Sequence, residues 1–315
     1  AMTAAAEARF ALSVHGGAGT IRRASMTAKD EAAYRAALDA ALEAGAKILR
    51  DGGSALDAVE AAVVVLEDDP LFNAGRGSVL NAEGRVEMDA AIMDGRGRKA
   101  GAVAAVGSVR NPVILARRVM EHSPHVLLVG AGAEAFGKEQ GVAFAGPEWF
   151  RTERRIRELD RAKREKKIRL DHSSPKFGTV GAVALDGAGN LAAATSTGGM
   201  TNKRWGRVGD SPIVGAGTYA ANGVAAISGT GEGEYFIRLT IARDIAARME
   251  YAGQNLNEAA EAAIRTLTDA GGAGGVIAVD AEGNIAMPFN TPGMYRAALH
   301  PDGRKEIAIY GDDGR

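Results

Sequence analysis

The chain holds no cysteine and only five histidines. Thiolate nucleophiles, disulfides and Cys-ligated metals are therefore excluded together. The side chains left to attack a carbonyl are hydroxyls, and the threonines are grouped. Thr179 opens the small-residue run "GTVGAVALD"; Thr195, Thr197 and Thr201 lie in "ATSTGGMTNK", and Thr230 in "SGTGEGEYF". A threonine hydroxyl is a weak nucleophile without a base. An α-amino group on the same residue would be one, with a pKa of about 7.7–8.0 suited to proton transfer near neutrality. Inside an intact chain Thr179 has no such amine; it gains one only if the Gly178–Thr179 bond is cut.

Other chemistries fit less well. A Ser-His-Asp triad needs a histidine base among His15, His122, His125, His172 and His300, and no G-x-S-x-G elbow is present. Pro124 between His122 and His125 breaks the helix that would align them on a metal. "GAGAEA", Gly130 to Ala135, fits a dinucleotide fingerprint formally. No acidic residue follows a second strand at the spacing that fingerprint needs, so it reads as a strand-to-helix turn. The run from Arg151 to Arg169 carries ten Lys/Arg against four Asp/Glu, but no aromatic interleaves it. It reads as a solvated, mobile linker or a charged helix rather than a nucleic-acid site, with a mobile charged linker or tail expected over 151–177.

The elements that must position these groups alternate between helical and β patterns. "RFALSV" reads as a strand running into "HGGAG", His15 to Gly19. Alanine-rich periodicity from Ala28 to Asp51 predicts a helix. Ser54, with Asp57 three residues on, starts a second, which Pro70 ends. Short β segments with glycine turns follow from Ser78 to Val109. Asn111-Pro112 starts a helix, "HVLLVG" is a strand, and "AGAEAFGKEQG" is a short helix. Beyond Thr179, hairpins at "LDGAGNLAAA" and "VDAEGNIAMP" flank helices over about Glu234–Glu250 and Asn257–Ala270. Helical blocks on either side of hairpins suggest sheets packed between helical layers, an α+β arrangement. With 315 residues, 46% hydrophobic, 24% charged and a formal net charge of −1, the composition is that of a soluble globular protein, not a nucleic-acid or membrane-surface binder. No signal-like pattern opens "AMTAAAEARFALSV", and the expectation is a cytoplasmic protein.

The blocks "SVHGGAG", "PLFNAGRGSVLN", "MDAAIMDG", "RNPVILARRVMEHSPHVLLVG", "GTVGAVALD", "AATSTGGMTNKRWGRVGDSPIVGAG", "SGTGEGEYFIR" and "MPFNTPGMYRA", in this order, resemble the plant-type L-asparaginases, also called isoaspartyl aminopeptidases or β-aspartyl peptidases. These are N-terminal-nucleophile hydrolases. The likeness spans nearly the whole chain and lapses mainly over 151–177. It implies a single domain with a four-layer αββα sandwich, cut before Thr179 into an α subunit of 1–178 and a β subunit of 179–315, assembled as (αβ)2. It also implies hydrolysis of L-asparagine and β-aspartyl dipeptides through a β-aspartyl-enzyme intermediate. No organic cofactor is expected.

Residue by residue, the resemblance makes Thr179 the nucleophile and Gly178–Thr179 the autocleavage site. Thr230 and Gly231 would form the oxyanion hole, and Thr197 would tune the nucleophile from beside it. Arg207 would grip the substrate α-carboxylate through its two-pronged fork. Asp210, helped by the Gly233 carbonyl, would take the ammonium. "LEDDPLFNAGRG" resembles a sodium-binding loop, with carbonyls from Leu66, Glu67, Asp69, Phe72, Ala74 and Arg76; potassium is the open alternative. Asn73 would sit at the edge of the site and orient the nucleophile. Trp205 and Arg204 replace smaller or apolar residues, and Arg76 an aliphatic one, which leaves the preferred leaving group open. The rival readings are a glycosylasparaginase, a threonine endopeptidase and an unprocessed, non-enzymatic homologue.

Overall fold

A computed structural model describes residues 9–165 and 178–313. Its strands are β1 (Ala11–Gly19), β2 (Met88–Asp94), β3 (Lys99–Val106), β4 (Leu127–Val129), β5 (Val180–Leu185), β6 (Leu191–Thr197), β7 (Thr218–Ala221), β8 (Ala225–Gly231), β9 (Gly274–Asp280), β10 (Ile285–Ala286), β11 (Gly293–Leu299) and β12 (Lys305–Tyr310). The helices are α1 (Ala28–Arg50), α2 (Ala55–Asp68), α3 (Pro112–His122), α4 (Gly130–Glu139), α5 (Pro147–Phe150), α6 (Glu153–Arg164), α7 (Gly233–Leu239), α8 (Ile241–Ala252) and α9 (Leu256–Asp269).

Two sheets form, ordered β12-β11-β1-β5-β6-β2-β3-β4 and β10-β9-β8-β7. Only the β3–β4 pair is parallel among the described strands. The faces of β1, β5 and β6 pack on β8 and β9, while α1 and α2 cover the outside of the larger sheet and α8 and α9 that of the smaller. The layers are therefore helix, sheet, sheet, helix, as expected. Strands buried on both faces cannot alternate polar with apolar residues. This explains "VGAVAL" and "LAAATST", buried at every position. Their many alanines and glycines let the sheets approach closely.

Local signals explain the helices. Thr27 Oγ1 accepts the Asp30 N–H at 3.0 Å to cap α1, and Ser54 accepts that of Asp57 at 3.1 Å to cap α2. Asn255 and Glu258 form a reciprocal box at the start of α9.

One expectation is corrected. The helix anticipated over Glu234–Glu250 is broken at Thr240, which adopts φ +47°. The amides of Ala242 and Arg243 turn instead to the Ala216 and Gly215 carbonyls, at 3.1 and 2.8 Å. The charged run after Arg151 forms helix α6 over its first part, the helical one of the two readings. Thr152 caps α6, and Arg155, Leu159 and Ala162 form a buried stripe one helical repeat apart. Residues 166–177 of that expectation lie outside the described residues. "GAGAEA" is the strand-to-helix turn from β4 into α4. No group of three or more potential His, Cys, Asp or Glu metal ligands occurs among the described residues, His122 and His125 included.

Candidate active site

Thr179 stands one residue before β5, at the centre of the larger sheet and between β1 and β6. Its side chain is buried, and its hydroxyl donates to Thr197 Oγ1 at 2.9 Å. Thr197 ends β6, and its oxygen also accepts the Gly199 N–H at 3.0 Å. Asn73 braces the same turn. Its Nδ2 donates to the Gly199 carbonyl at 2.8 Å, its Oδ1 accepts Val79 N–H at 2.9 Å, and its carbonyl accepts Gly198 N–H at 3.0 Å. Asn73 thus braces the turn beside Thr179.

The second sheet brings Thr230, near the end of β8. Its hydroxyl oxygen accepts the Ala18 N–H of the glycine-rich β1 end at 3.3 Å. Gly178 has φ +43°, and a Cβ built there would lie 3.1 Å from Gly17 Cα and 3.4 Å from Thr230 Oγ1. Only two glycines let the backbones of β1 and the Gly178–Thr179 segment meet this closely. The bond before Thr179 is therefore held against Thr230.

Arg207 and Asp210 arrive on the loop between β6 and β7. Arg207 points its fork at Glu234, with Nε and Nη2 donating to the two carboxylate oxygens at 2.9 and 3.0 Å. A Cβ on Gly233 would lie 2.9 Å from both Arg207 Nη2 and Asp210 Oδ1, so Gly233 fills the corner between the two charges. Asp210 is buried, its Oδ2 has no hydrogen-bond partner, and burial pushes its carboxyl up to about 7 against the pull of its own amide and Arg207. A buried carboxylate lacking a donor is a site for an arriving cation.

Asn73, Thr179, Thr197, Arg207, Asp210 and Gly231 line one cavity of about 20 Å³. A hollow of this kind needs about 10–15 Å³ to take one water, so the intact chain leaves room there for about one water and none for an amino acid. A hollow of about 330 Å³ between Glu134 and Phe150 is larger, but none of the threonines faces it.

The loop from Leu66 to Arg76 offers main-chain carbonyl oxygens, the kind of ligand a hard cation takes. Pro70 has no N–H to return to Leu66, and Leu71 N–H goes to Asp69 Oδ1 at 2.9 Å. The last carbonyls of α2, Leu66 and Glu67, thus lose their i+4 partners. The Asp69 and Ala74 carbonyls each accept one loop amide, from Phe72 and Gly77, which leaves a second lone pair on each. The Glu67 side chain turns away to accept from Ser196 Oγ at 2.6 Å. The Arg76 guanidinium stacks 4.4 Å from the Trp149 ring centre.

Three groups escaped the sequence reading. Glu234 occupies the Arg207 fork. Lys203 is buried, with Nζ donating to the Glu87 carbonyl at 2.6 Å, and burial lowers its pKa. A hydroxyl chain crosses between the sheets: His15 Nε2 meets Ser228 Oγ at 2.9 Å, Ser228 meets Thr195 at 2.7 Å, and Thr218 donates to Thr195 at 2.7 Å. Burial drives the His15 pKa down to about 3, so its ring is neutral and serves as a strut. The inward alternation of Ser13, His15, Thr195 and Ser228 was visible, but which sheet faces which was not.

Comparison with known proteins follows this geometry. The asparaginase family profile matches residues 8–309. An isoaspartyl peptidase of Escherichia coli (strain K12) is 53% identical over 310 residues, covering 96% of this chain and 97% of the relative. A probable isoaspartyl peptidase/L-asparaginase 2 of Arabidopsis thaliana is 43% identical, covering 96% and 99%. An isoaspartyl peptidase/L-asparaginase of Homo sapiens is 46% identical, covering 95% and 96%.

Proposed function

The chain belongs to the asparaginase family, and we propose that it is a threonine amidohydrolase which cuts its own Gly178–Thr179 bond and then frees aspartate from L-asparagine and β-aspartyl dipeptides. The observation that carries this reading is the Thr179 hydroxyl, 2.9 Å from Thr197 Oγ1, in one cavity with Arg207 and Asp210.

Self-cleavage begins when Thr179 Oγ adds to the Gly178 carbonyl carbon and gives up its proton. Collapse of the adduct breaks the C–N bond, and the departing nitrogen takes a proton. An ester and a free Thr179 amine result; water then hydrolyses the ester, leaving the Gly178 carboxylate and the Thr179 hydroxyl. The α subunit, 1–178, stays folded with the β subunit, 179–315, through the shared sheet. Clearing the Gly178 end from Thr230 opens the cavity to substrate.

In the mature site the Thr179 amine takes the hydroxyl proton, and the oxygen attacks the side-chain carbonyl of the substrate. Thr230 Oγ–H and Gly231 N–H face the oxyanion; one such donor is typically worth about 10²–10³ in kcat. The ammonium returns its proton to the leaving amine. The remaining β-aspartyl ester is hydrolysed by a water that the same amine activates. Arg207 exchanges Glu234 for the substrate α-carboxylate, and Asp210 takes the α-ammonium with the Gly233 carbonyl beside it. Sodium would be held by the carbonyls of Leu66, Glu67, Asp69, Phe72, Ala74 and Arg76, where its charge would stiffen the turn carrying Asn73. The (αβ)2 assembly and a cytoplasmic location belong to the same proposal.

Aspartate release from β-aspartyl-leucine and from asparagine tests the reading. Wild type should release aspartate from both, and Thr179→Ala from neither. Release by Thr179→Ala at the wild-type rate would refute it.

A further inference from the structure

The segment that leads towards the cleavage site does more than link. From Pro147 to Arg164 it lays four side chains on one loop, residues 71–84. The Trp149 ring takes the Arg76 guanidinium at 4.4 Å. Arg151 Nη1 donates to the Gly84 carbonyl at 2.8 Å, and Arg154 Nη1 to that of Leu71 at 3.1 Å. Arg155 Nε donates to the Gly77 carbonyl at 2.6 Å. The Arg155 side chain is 0% exposed and Nη1 pairs with Glu158 Oε2 at 2.7 Å. Arginine is almost never fully buried unless a carboxylate or carbonyl holds it. A charged tail with no task would have kept this guanidinium in water.

The loop that α6 holds carries Asn73. Gly77 N–H closes onto the Ala74 carbonyl at 3.1 Å, and Val79 N–H onto Asn73 Oδ1 at 2.9 Å, so Gly77 lies within the turn that fixes Asn73. Asn73 Nδ2 then holds the Gly199 carbonyl, Gly199 N–H holds Thr197 Oγ1, and Thr197 accepts from Thr179. We propose that Arg155 is a positioning residue for the reaction: through Gly77 and Asn73 it sets where Thr197 and Thr179 stand. The α-subunit segment once read as a tail is thus a clamp on the catalytic turn. This rests on the reading of Thr179 as nucleophile, and the clamp itself is a matter of geometry.

The test compares Arg155→Met, Arg155→Lys, Glu158→Gln and, as a control on the exposed face of α6, Arg157→Ala. Three quantities are read on folded protein: the rate of the 178/179 cut, kcat and KM for β-aspartyl-leucine, and hydrogen exchange at the Val79 and Gly198 amides. Misplacing a reacting group by about 1 Å costs up to about 10²-fold. Arg155→Met should slow the cut and lower kcat by about 10- to 100-fold, leave KM within about twofold because Arg207 and Asp210 are untouched, and speed exchange at both amides. Arg155→Lys, which keeps a donor, should recover part of the loss, and Arg157→Ala should match wild type. A folded Arg155→Met with wild-type kcat, cutting rate and exchange would overturn the proposal. If Arg155→Met does not fold, Arg155→Lys and Glu158→Gln decide: wild-type behaviour in both would overturn it equally. Faster exchange in a chain whose wild type releases no aspartate would leave the clamp standing and remove the functional reading instead.

Discussion

Gly181, the second residue of β5, faces Ser228 of β8 across the two sheets, and replacing it with alanine has a cost that the structure sets. A methyl there would overlap Ser228 Oγ, stand 2.5 Å from His15 Nε2, and touch the Ala194 carbonyl at 3.0 Å. None of these is the free end of a flexible chain. Ser228 is on β8 and is tied to both His15 and Thr195; His15 is on β1. The methyl therefore breaks the His15–Ser228 bond or parts the sheets. Overpacking costs about 1–3 kcal/mol. Ser228 keeps Thr195, so the lost bond strands His15 Nε2, which costs about 1–3 kcal/mol more. The stiffer unfolded chain returns at most about 1 kcal/mol. The net loss is about 1–6 kcal/mol. Urea unfolding in a Thr179→Ala background, where the chain stays whole, measures it. Adding Ser228→Ala removes the overlapping oxygen, so Gly181→Ala should cost at least about 1 kcal/mol less in that background. A Gly181→Ala loss under about 1 kcal/mol, with no coupling to position 228, would refute the reasoning.

Asp210 must be ionised to hold an ammonium, and its carboxyl titrates at about 7; KM for asparagine should therefore rise as pH falls from 8 to 6 while kcat changes less. A carboxyl pKa raised on folding stabilises the protein at low pH, and that contribution is lost as pH rises from the ordinary carboxylate range through 7. Asp210→Asn should accordingly melt above wild type at pH 8 and level with it near pH 4, while losing turnover. Trp205 is 91% exposed with φ +59°, a backbone conformation that suits glycine; Trp205→Gly relieves about 1–3 kcal/mol of strain against about 0.4–1 kcal/mol for a looser unfolded chain, so the fold should gain up to about 2.6 kcal/mol in thermal melts, where a lower melting point would count against strain at that position.

Local chemistry was legible in the sequence. Ser54 and Asp57, Asn111-Pro112 and the glycine-turned hairpins are signals carried within a few residues, and the elements they predict are present. The grouping of Thr179, Thr197, Arg207 and Asp210 was readable because ordered motifs carry it, whereas no spacing rule links position 179 to position 230. What stayed hidden depended on tertiary partners. Thr240 breaks a helix because the 215–216 carbonyls capture its next amides. Arg155 looked like one more solvated cation, and only its i, i+4, i+7 stripe with Leu159 and Ala162 hinted at a docked face. Glu234 gave no sign that it would fill the Arg207 fork, since that contact joins the β6–β7 loop to the start of α7, 27 residues on.

Everything in the mechanism depends on an amine that exists only after the Gly178–Thr179 bond opens. The direct measurement follows freshly folded protein over time by denaturing gel, N-terminal sequencing of the smaller fragment, and aspartate release from β-aspartyl-leucine in the same samples. The account predicts a fragment beginning TVGAVA whose appearance and the rise of activity share one rate constant. Full turnover by a chain that remains a single 315-residue band would contradict it.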